Sequence, residues 1–130
     1  MSNGTLKKIL VVEDALDIQM VTRISLEKKG GFEVEVCSSG AEALEKAETF
    51  NPDLILLDVM MPGMDGPTTL GSLRNLPTLG KTPVIFMTAK VQPQEVAHYI
   101  DLGAINVIAK PFDPMTLAET IQSMWDKSQG

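Results

Sequence analysis

The sequence predicts an α/β fold of the (βα)5 kind, a five-stranded parallel sheet held between helices in a three-layer sandwich. Three observations predict it. Short apolar runs recur along the chain, separated by segments whose apolar residues fall at helical spacing. No long polar linker, internal repeat or low-complexity stretch breaks the alternation. Each central run also ends on a polar or charged side chain: Glu13-Asp14, Asp58, Thr88 and Lys110. Strict alternation calls for parallel strands, right-handed crossovers and helices on both faces.

The elements follow in order. Ile9–Val12 is the first strand. Ile18, Val21, Ile24, Ser25 and Leu26 then recur at helical spacing to about Lys28, where Gly30-Gly31 stops the helix. The second strand is Phe32–Cys37. Ser39-Gly40 opens a short amphipathic helix through Ala43, Leu44 and Ala47, closed before Asn51-Pro52. Asp53–Asp58 is the third strand, and its run Leu54–Leu57 reads as buried on both faces. A glycine- and proline-rich loop, Met61–Gly66, leads to Pro67, suited to the first turn of a helix carrying Leu70 and Leu73. Gly71 makes that helix short or weak. Asn75–Pro83 is loop, Val84–Met87 the fourth strand, and Pro93–Leu102 the fourth helix. Ile105–Ala109 is the fifth strand. Asp113 is placed to cap the last helix, with Pro114 at its first position and Leu117, Ile121 and Met124 along its inner stripe. The domain spans 1–130 with an ordered core over about 6–126, and Lys127–Gly130 are expected to fray.

Composition narrows the function. The chain is 44% hydrophobic and 22% charged, an ordinary globular balance. With 17 acidic against 11 basic side chains the net charge is −6, which argues against a nucleic-acid surface on this domain. No stretch approaches the roughly 20 apolar residues a membrane span needs. The one cysteine, Cys37, falls in an alternating strand pattern and reads as buried packing, and a reducing, cytoplasmic setting is expected. His98, the single histidine, lies on the fourth helix and reads as a solvated surface residue.

The chemistry gathers at the carboxyl ends of the strands, where open α/β sheets place their ligands. Two carboxylates about 4 Å apart repel by about 4 kcal/mol at an effective dielectric near 20. If Glu13, Asp14 and Asp58 meet there, they raise a pKa or bind a cation. An all-oxygen set without cysteine or histidine suits Mg²⁺, with Mn²⁺ possible in its place. Mg²⁺ favours a phosphate oxygen as partner. The Lys110 ammonium and the Thr88 hydroxyl are the groups to hold one. Asp58 is then placed to attack a phosphoryl group as a carboxylate nucleophile.

At these residues the chain resembles the receiver domain of two-component response regulators. The motifs are Val11-Val12-Glu13-Asp14, the run Leu57–Gly66 around Asp58, Met87-Thr88-Ala89, and Ala109-Lys110-Pro111-Phe112. Their intervals match as well: 44 positions from Asp14 to Asp58, 30 on to Thr88 and 22 on to Lys110. The resemblance implies a flavodoxin-like sheet of order 2-1-3-4-5, an order for which a receiver protein is itself a standard example. It implies that Asp58 accepts phosphate from a sensor histidine kinase or histidine phosphotransfer protein, with Thr88 and Lys110 holding the phosphoryl oxygens. Asp14, Asp58 and the Met60 backbone carbonyl would ligate Mg²⁺ directly, and Glu13 mainly through water. The Lys110–Pro111 bond is expected to be cis. A switch of the face made by helix 4, strand 5 and helix 5 toward a downstream protein is implied, in a monomer or a phosphorylation-dependent dimer. Tyr99 and Trp125, on the last two helices, are candidates either for that surface or for burial.

Two departures stand out. The fifth-strand position three before the lysine, usually aromatic in the family, is Val107. The positions that influence phosphate lifetime are Met60 and Lys90, neither of which orients water well, so a long-lived phosphoryl state is expected. The alternative is a Mg-dependent aspartyl-phosphate phosphatase or phosphotransferase acting on a small molecule. Against it, Glu13-Asp14-Ala15-Leu16 lacks the Asp-x-Asp pair such enzymes carry. The chain ends just past the fifth helix, which fits either a stand-alone receiver or one domain of a longer protein.

Overall fold

In a computed structural model, residues 5–130 of the chain are described, so residues 1–4 of the expected 1–130 domain lie outside the described residues. The strands are β1 (Lys8–Val12), β2 (Glu33–Cys37), β3 (Leu54–Asp58), β4 (Val84–Thr88) and β5 (Asn106–Ala109). Helices α1 (Leu16–Gly30), α2 (Gly40–Phe50), α3 (Gly66–Arg74), α4 (Pro93–Asp101) and α5 (Leu117–Gln129) alternate with them. All neighbouring strands pair in parallel, in the order β2-β1-β3-β4-β5 expected from the resemblance.

Residue alternation along the strands divides the core in two. Leu10, Val12, Ile55, Leu57 and Phe86 turn to one face and pack with Ala43 and Ala47 of α2, Leu70 and Leu73 of α3, and Tyr99 of α4. Ile9, Val11, Leu54, Leu56, Ile85 and Met87 turn to the other, against Leu26 of α1 and Leu117, Ile121 and Trp125 of α5. Cys37, Tyr99 and Trp125 are all buried, and His98 is exposed.

Local signals set the helix ends. Ser39 Oγ accepts from Glu42 N, and Asp65 Oδ1 accepts from Thr68 N, capping α2 and α3. Pro67 lies in the first turn of α3, and Gly31 closes α1 at φ 69°, a left-handed conformation that glycine adopts without strain.

Two expectations needed correction. Val21 and Ile24 belong to the helical spacing that marks α1, but they are exposed, as are Leu16 and Met20, and Ile18 is only half-buried. The buried face is Thr22, Ser25 and Leu26. Ser25 Oγ donates to Pro114 O at 2.5 Å, so a small hydroxyl lets α1 sit close to the segment before α5. The last helix begins at Leu117, three positions later than Pro114, because Asp113 Oδ1 accepts from Met115 N and closes a separate turn first. That helix continues to Gln129. The Asn75–Pro83 connection contains a single 3-10 turn, Pro77–Leu79, and buries Leu79.

Candidate functional site

Register brings the chemistry to one edge. Val12 pairs with Leu57, Asp58 with Met87, and Thr88 with Ala109, so Glu13, Asp58, Thr88 and Lys110 leave adjacent strands at nearly one level. The chain is held there beyond the sheet: Val59 N donates to Met87 O at 3.0 Å, and Lys110 N donates to Thr88 O at 2.9 Å. Gly66 also lies against this edge. A Cβ at that position would come within 2.5 Å of the Asp58 carbonyl oxygen and 2.8 Å of Val59 Cα.

Three acids converge. Glu13, Asp14 and Asp58 each offer a carboxylate oxygen, all within 4.8 Å of one another. Glu13 and Asp58 are buried, and Asp14 faces solvent. The Lys110 ammonium stands 2.8 Å from Glu13 Oε1 and 3.1 Å from Asp58 Oδ1. The contact to Asp58 is a directed hydrogen bond. Glu13 Oε1 is shielded from solvent, and its ion pair with Lys110 is its one contact of this kind among the described residues, which leaves a buried oxygen with spare lone-pair capacity.

Burial pushes the Glu13 carboxyl above its ordinary range, and the Asp58 charge adds to the effect, while Lys110 and the Ala15 N–H oppose it. For Lys110 burial works against the ammonium, but hydrogen bonds and attraction from Glu13 and Asp58 outweigh it and hold its pKa above the usual value. Three carboxylates against one ammonium leave two negative charges in the cluster. A divalent, oxygen-seeking cation fits that balance and that donor set.

The remaining expected residues take their places around this centre. Thr88 is buried at the end of β4, and its hydroxyl oxygen accepts from Lys90 N at 3.1 Å. Met60 stands between buried Val59 and Met61 with its side chain turned out to solvent, 67% exposed. The Lys110–Pro111 bond is cis. Val107 is buried opposite Phe86 on β4, and the Phe86 ring packs on the Tyr99 ring at 5.3 Å between centroids.

Sequence reading missed the supports of Glu13. Ala15 N donates to Glu13 Oε2, and Gln19 Nε2 donates to the Glu13 carbonyl at 2.6 Å and to Ser38 Oγ at 2.9 Å. A glutamine on a helix carries no sequence signal for that role. The apolar outer stripe of α1 was missed too, and it borders two shallow apolar grooves. One is lined by Ile18, Val21, Lys110, Pro111 and Phe112, and the other by Val21, Ile24, Pro114 and Met115.

Comparison with known proteins adds an independent line. A family model described as the response regulator receiver domain matches residues 9–122. The alkaline phosphatase synthesis transcriptional regulatory protein PhoP of Bacillus subtilis is 37% identical over 123 residues, covering 95% of this chain and 50% of that protein. The chain thus spans about half the length of the curated relatives it matches. The chemotaxis response regulator CheY4 of Vibrio cholerae superposes with a TM-score of 0.84 at 33% identity, covering 92% of this chain and 99% of that one. The signal receiver domain of a histidine kinase from Syntrophus aciditrophicus gives 0.78 at 32% identity, over 93% and 91% of the two chains.

Proposed function

The chain belongs to the response regulator receiver domain family, and from that membership we propose that Asp58 accepts a phosphoryl group from the phosphohistidine of a sensor histidine kinase or histidine phosphotransfer protein. The chain is a phosphorylation-dependent signalling switch. One observation carries the site assignment: the Lys110 ammonium is shared between two buried carboxylates at the sheet's carboxyl edge, one of them Asp58.

In the reaction an Asp58 oxygen attacks phosphorus, and the bond from phosphorus to the donor's imidazole nitrogen breaks. Lys110 pairs with one phosphoryl oxygen, and the Thr88 hydroxyl donates to another. Asp14, Asp58 and the Met60 carbonyl would hold Mg²⁺ directly, and Glu13 would hold it mainly through water. Mn²⁺ fits the same oxygen set. When bound, the ion neutralises charge on the phosphoryl oxygens. The rest is positioning, so the chain catalyses its own phosphorylation and a slow hydrolysis without acting on other substrates.

The output begins at Thr88. A hydroxyl drawn to the phosphoryl group leaves the Lys90 N–H, a bond that now ties the turn ahead of α4. Releasing that turn biases the face of α4, β5 and α5 toward a downstream protein. Val107 is too small to act as an aromatic reporter, and the Tyr99 ring already fills the space beside Phe86.

The outer stripe of α1, with Leu16, Met20 and Ile24, supplies the apolar surface next to the site on which a donor protein docks. The net charge of −6 supports protein partners and not direct nucleic-acid contact, in a monomer or a dimer formed on phosphorylation. No helix among the described residues is long and apolar enough to cross a membrane. The single cysteine, buried and unpaired, supports a reducing, cytoplasmic setting. The deciding experiment is Asp58→Asn incubated with acetyl phosphate and Mg²⁺. Loss of incorporation supports the assignment, and an unchanged phosphoryl yield overturns it.

A further inference from the structure

The described methionines divide sharply by position. Met87 is fully buried, Met61 nearly so, and Met64 and Met124 are half-buried. The exposed three are Met20 at 64%, Met60 at 67% and Met115 at 63%. Met20 lies in the second turn of α1 and Met60 directly after β3, where Asp58 sits, while Met115, between β5 and α5, lies beside Ile24 and Lys28 farther along α1. The only thiol competes poorly with them: Cys37 is buried, and desolvation pushes its pKa to about 12, so its nucleophilic thiolate is scarce. The reductant this chain offers to solvent is a thioether.

We propose that Met60 is a peroxide-sensitive modification site whose sulfoxide shortens the life of the phosphoryl group on Asp58. The inference rests on the reading of Asp58 as acceptor. Met60 is two residues past Asp58, where β3 ends, and its side chain is exposed between buried Val59 and Met61, at the solvent-facing lip of that edge. In the reduced form that lip is apolar and offers water no strong acceptor. Peroxide changes this. A sulfur lone pair attacks one peroxide oxygen, the O–O bond breaks, sulfur is oxidised by two electrons, and the peroxide is reduced to water. The sulfoxide oxygen accepts a hydrogen bond from water and orients it toward phosphorus. Water oxygen then bonds to phosphorus, the bond to Asp58 breaks with its electron pair returning to the carboxylate, and the proton leaves to solvent with inorganic phosphate.

The test uses the full chain, hydrogen peroxide, and acetyl phosphate as phosphoryl donor in Mg²⁺. Peptide mass spectrometry after mild peroxide should find Met20, Met60 and Met115 one oxygen heavier, with Met61 and Met87 unchanged. The phosphoryl half-life of the oxidised chain should fall about three- to tenfold, the range that one net hydrogen bond supplies. Methionine sulfoxide reductases should restore it. In Met60→Leu, whatever its own half-life, peroxide should leave that half-life where it was, which separates Met60 from Met20 and Met115. Met60→Gln, a polar side chain of similar length, should shorten the half-life without peroxide. An unchanged half-life in a chain verified as oxidised at Met60 overturns the proposal, as does an equal peroxide effect in Met60→Leu. Absence of any phosphoryl incorporation into the untreated chain overturns the Asp58 reading itself.

Discussion

Lys110 and Glu13 form the tightest ion pair of the site, Nζ to Oε1 at 2.8 Å, with Glu13 almost wholly shielded and the lysine side chain 18% exposed. The ammonium thus occupies the field that a divalent ion would enter, and the two cations compete for the same carboxylates. Lys110→Met should tighten Mg²⁺ binding by about 1–2 kcal/mol, roughly five- to thirtyfold, because one competing charge within contact distance is gone. The same variant should accept phosphate from acetyl phosphate far more slowly. Isothermal titration and a phosphorylation time course check the two halves separately, and Mg²⁺ binding weakened in the variant would contradict the competition.

Exposure on α1 predicts a split between donors. Ile24→Lys should change stability by no more than about 0.5 kcal/mol, as a surface substitution does. Leu26→Ala, on the buried face of the same helix, should cost about 2–5 kcal/mol. Once a donor protein is in hand, Ile24→Lys should slow transfer from it about tenfold or more, a loss of about 1.4 kcal/mol. Phosphorylation by acetyl phosphate should be untouched. Equal slowing with both donors would remove α1 from the docking face.

The close approach of Gly66 to the Asp58 carbonyl sets a steric test. Gly66→Ala places a methyl group where the backbone of β3 already stands, and overpacking of this kind costs about 1–3 kcal/mol. The denaturant midpoint should fall, and Mg²⁺ affinity should fall with it because the displaced atoms belong to Asp58 and Val59. Gly71→Ala meets nothing within 4 Å and serves as the contrast, neutral or slightly stabilising.

Cys37 gives a dependence on pH. Its pKa rises from 9.0 to about 12, chiefly through desolvation, so between those values the folded chain keeps a proton that the unfolded chain loses. Its contribution to stability therefore falls as pH rises through that window, by at most about 1.4 kcal/mol per pH unit. Subtracting the unfolding curve of Cys37→Ala isolates the effect from lysine and tyrosine titration. Iodoacetamide labelling at pH 8.5 should be slow until denaturant exposes the thiol.

The readable parts of the sequence were those fixed by local chemistry. Strand ends announced Glu13, Asp58, Thr88 and Lys110, because an apolar run long enough to cross a sheet must finish at its edge. Helix ends at Ser39 and Gly31 were equally local. The face of α1 was not. The more apolar stripe of that helix faces outward, and periodicity alone does not say which face meets the sheet. Close packing on Thr22 and Ser25 decides it, and that depends on where the segment around Pro114 arrives. The late start of α5 has a similar origin, since Asp113 can cap a turn as readily as a helix. Gln19 was unreadable because its contacts with Glu13 and Ser38 exist only once the β1 and β2 ends stand side by side.

The sheet separates two interiors that share no side chain, one beneath α1 and α5 and one beneath α2, α3 and α4. Drift in the outer residues of α1 is therefore insulated by a layer of backbone from the Phe86–Tyr99 stack behind α4. A change in what the outer face of α1 meets therefore leaves the packing on the far side of the sheet in place.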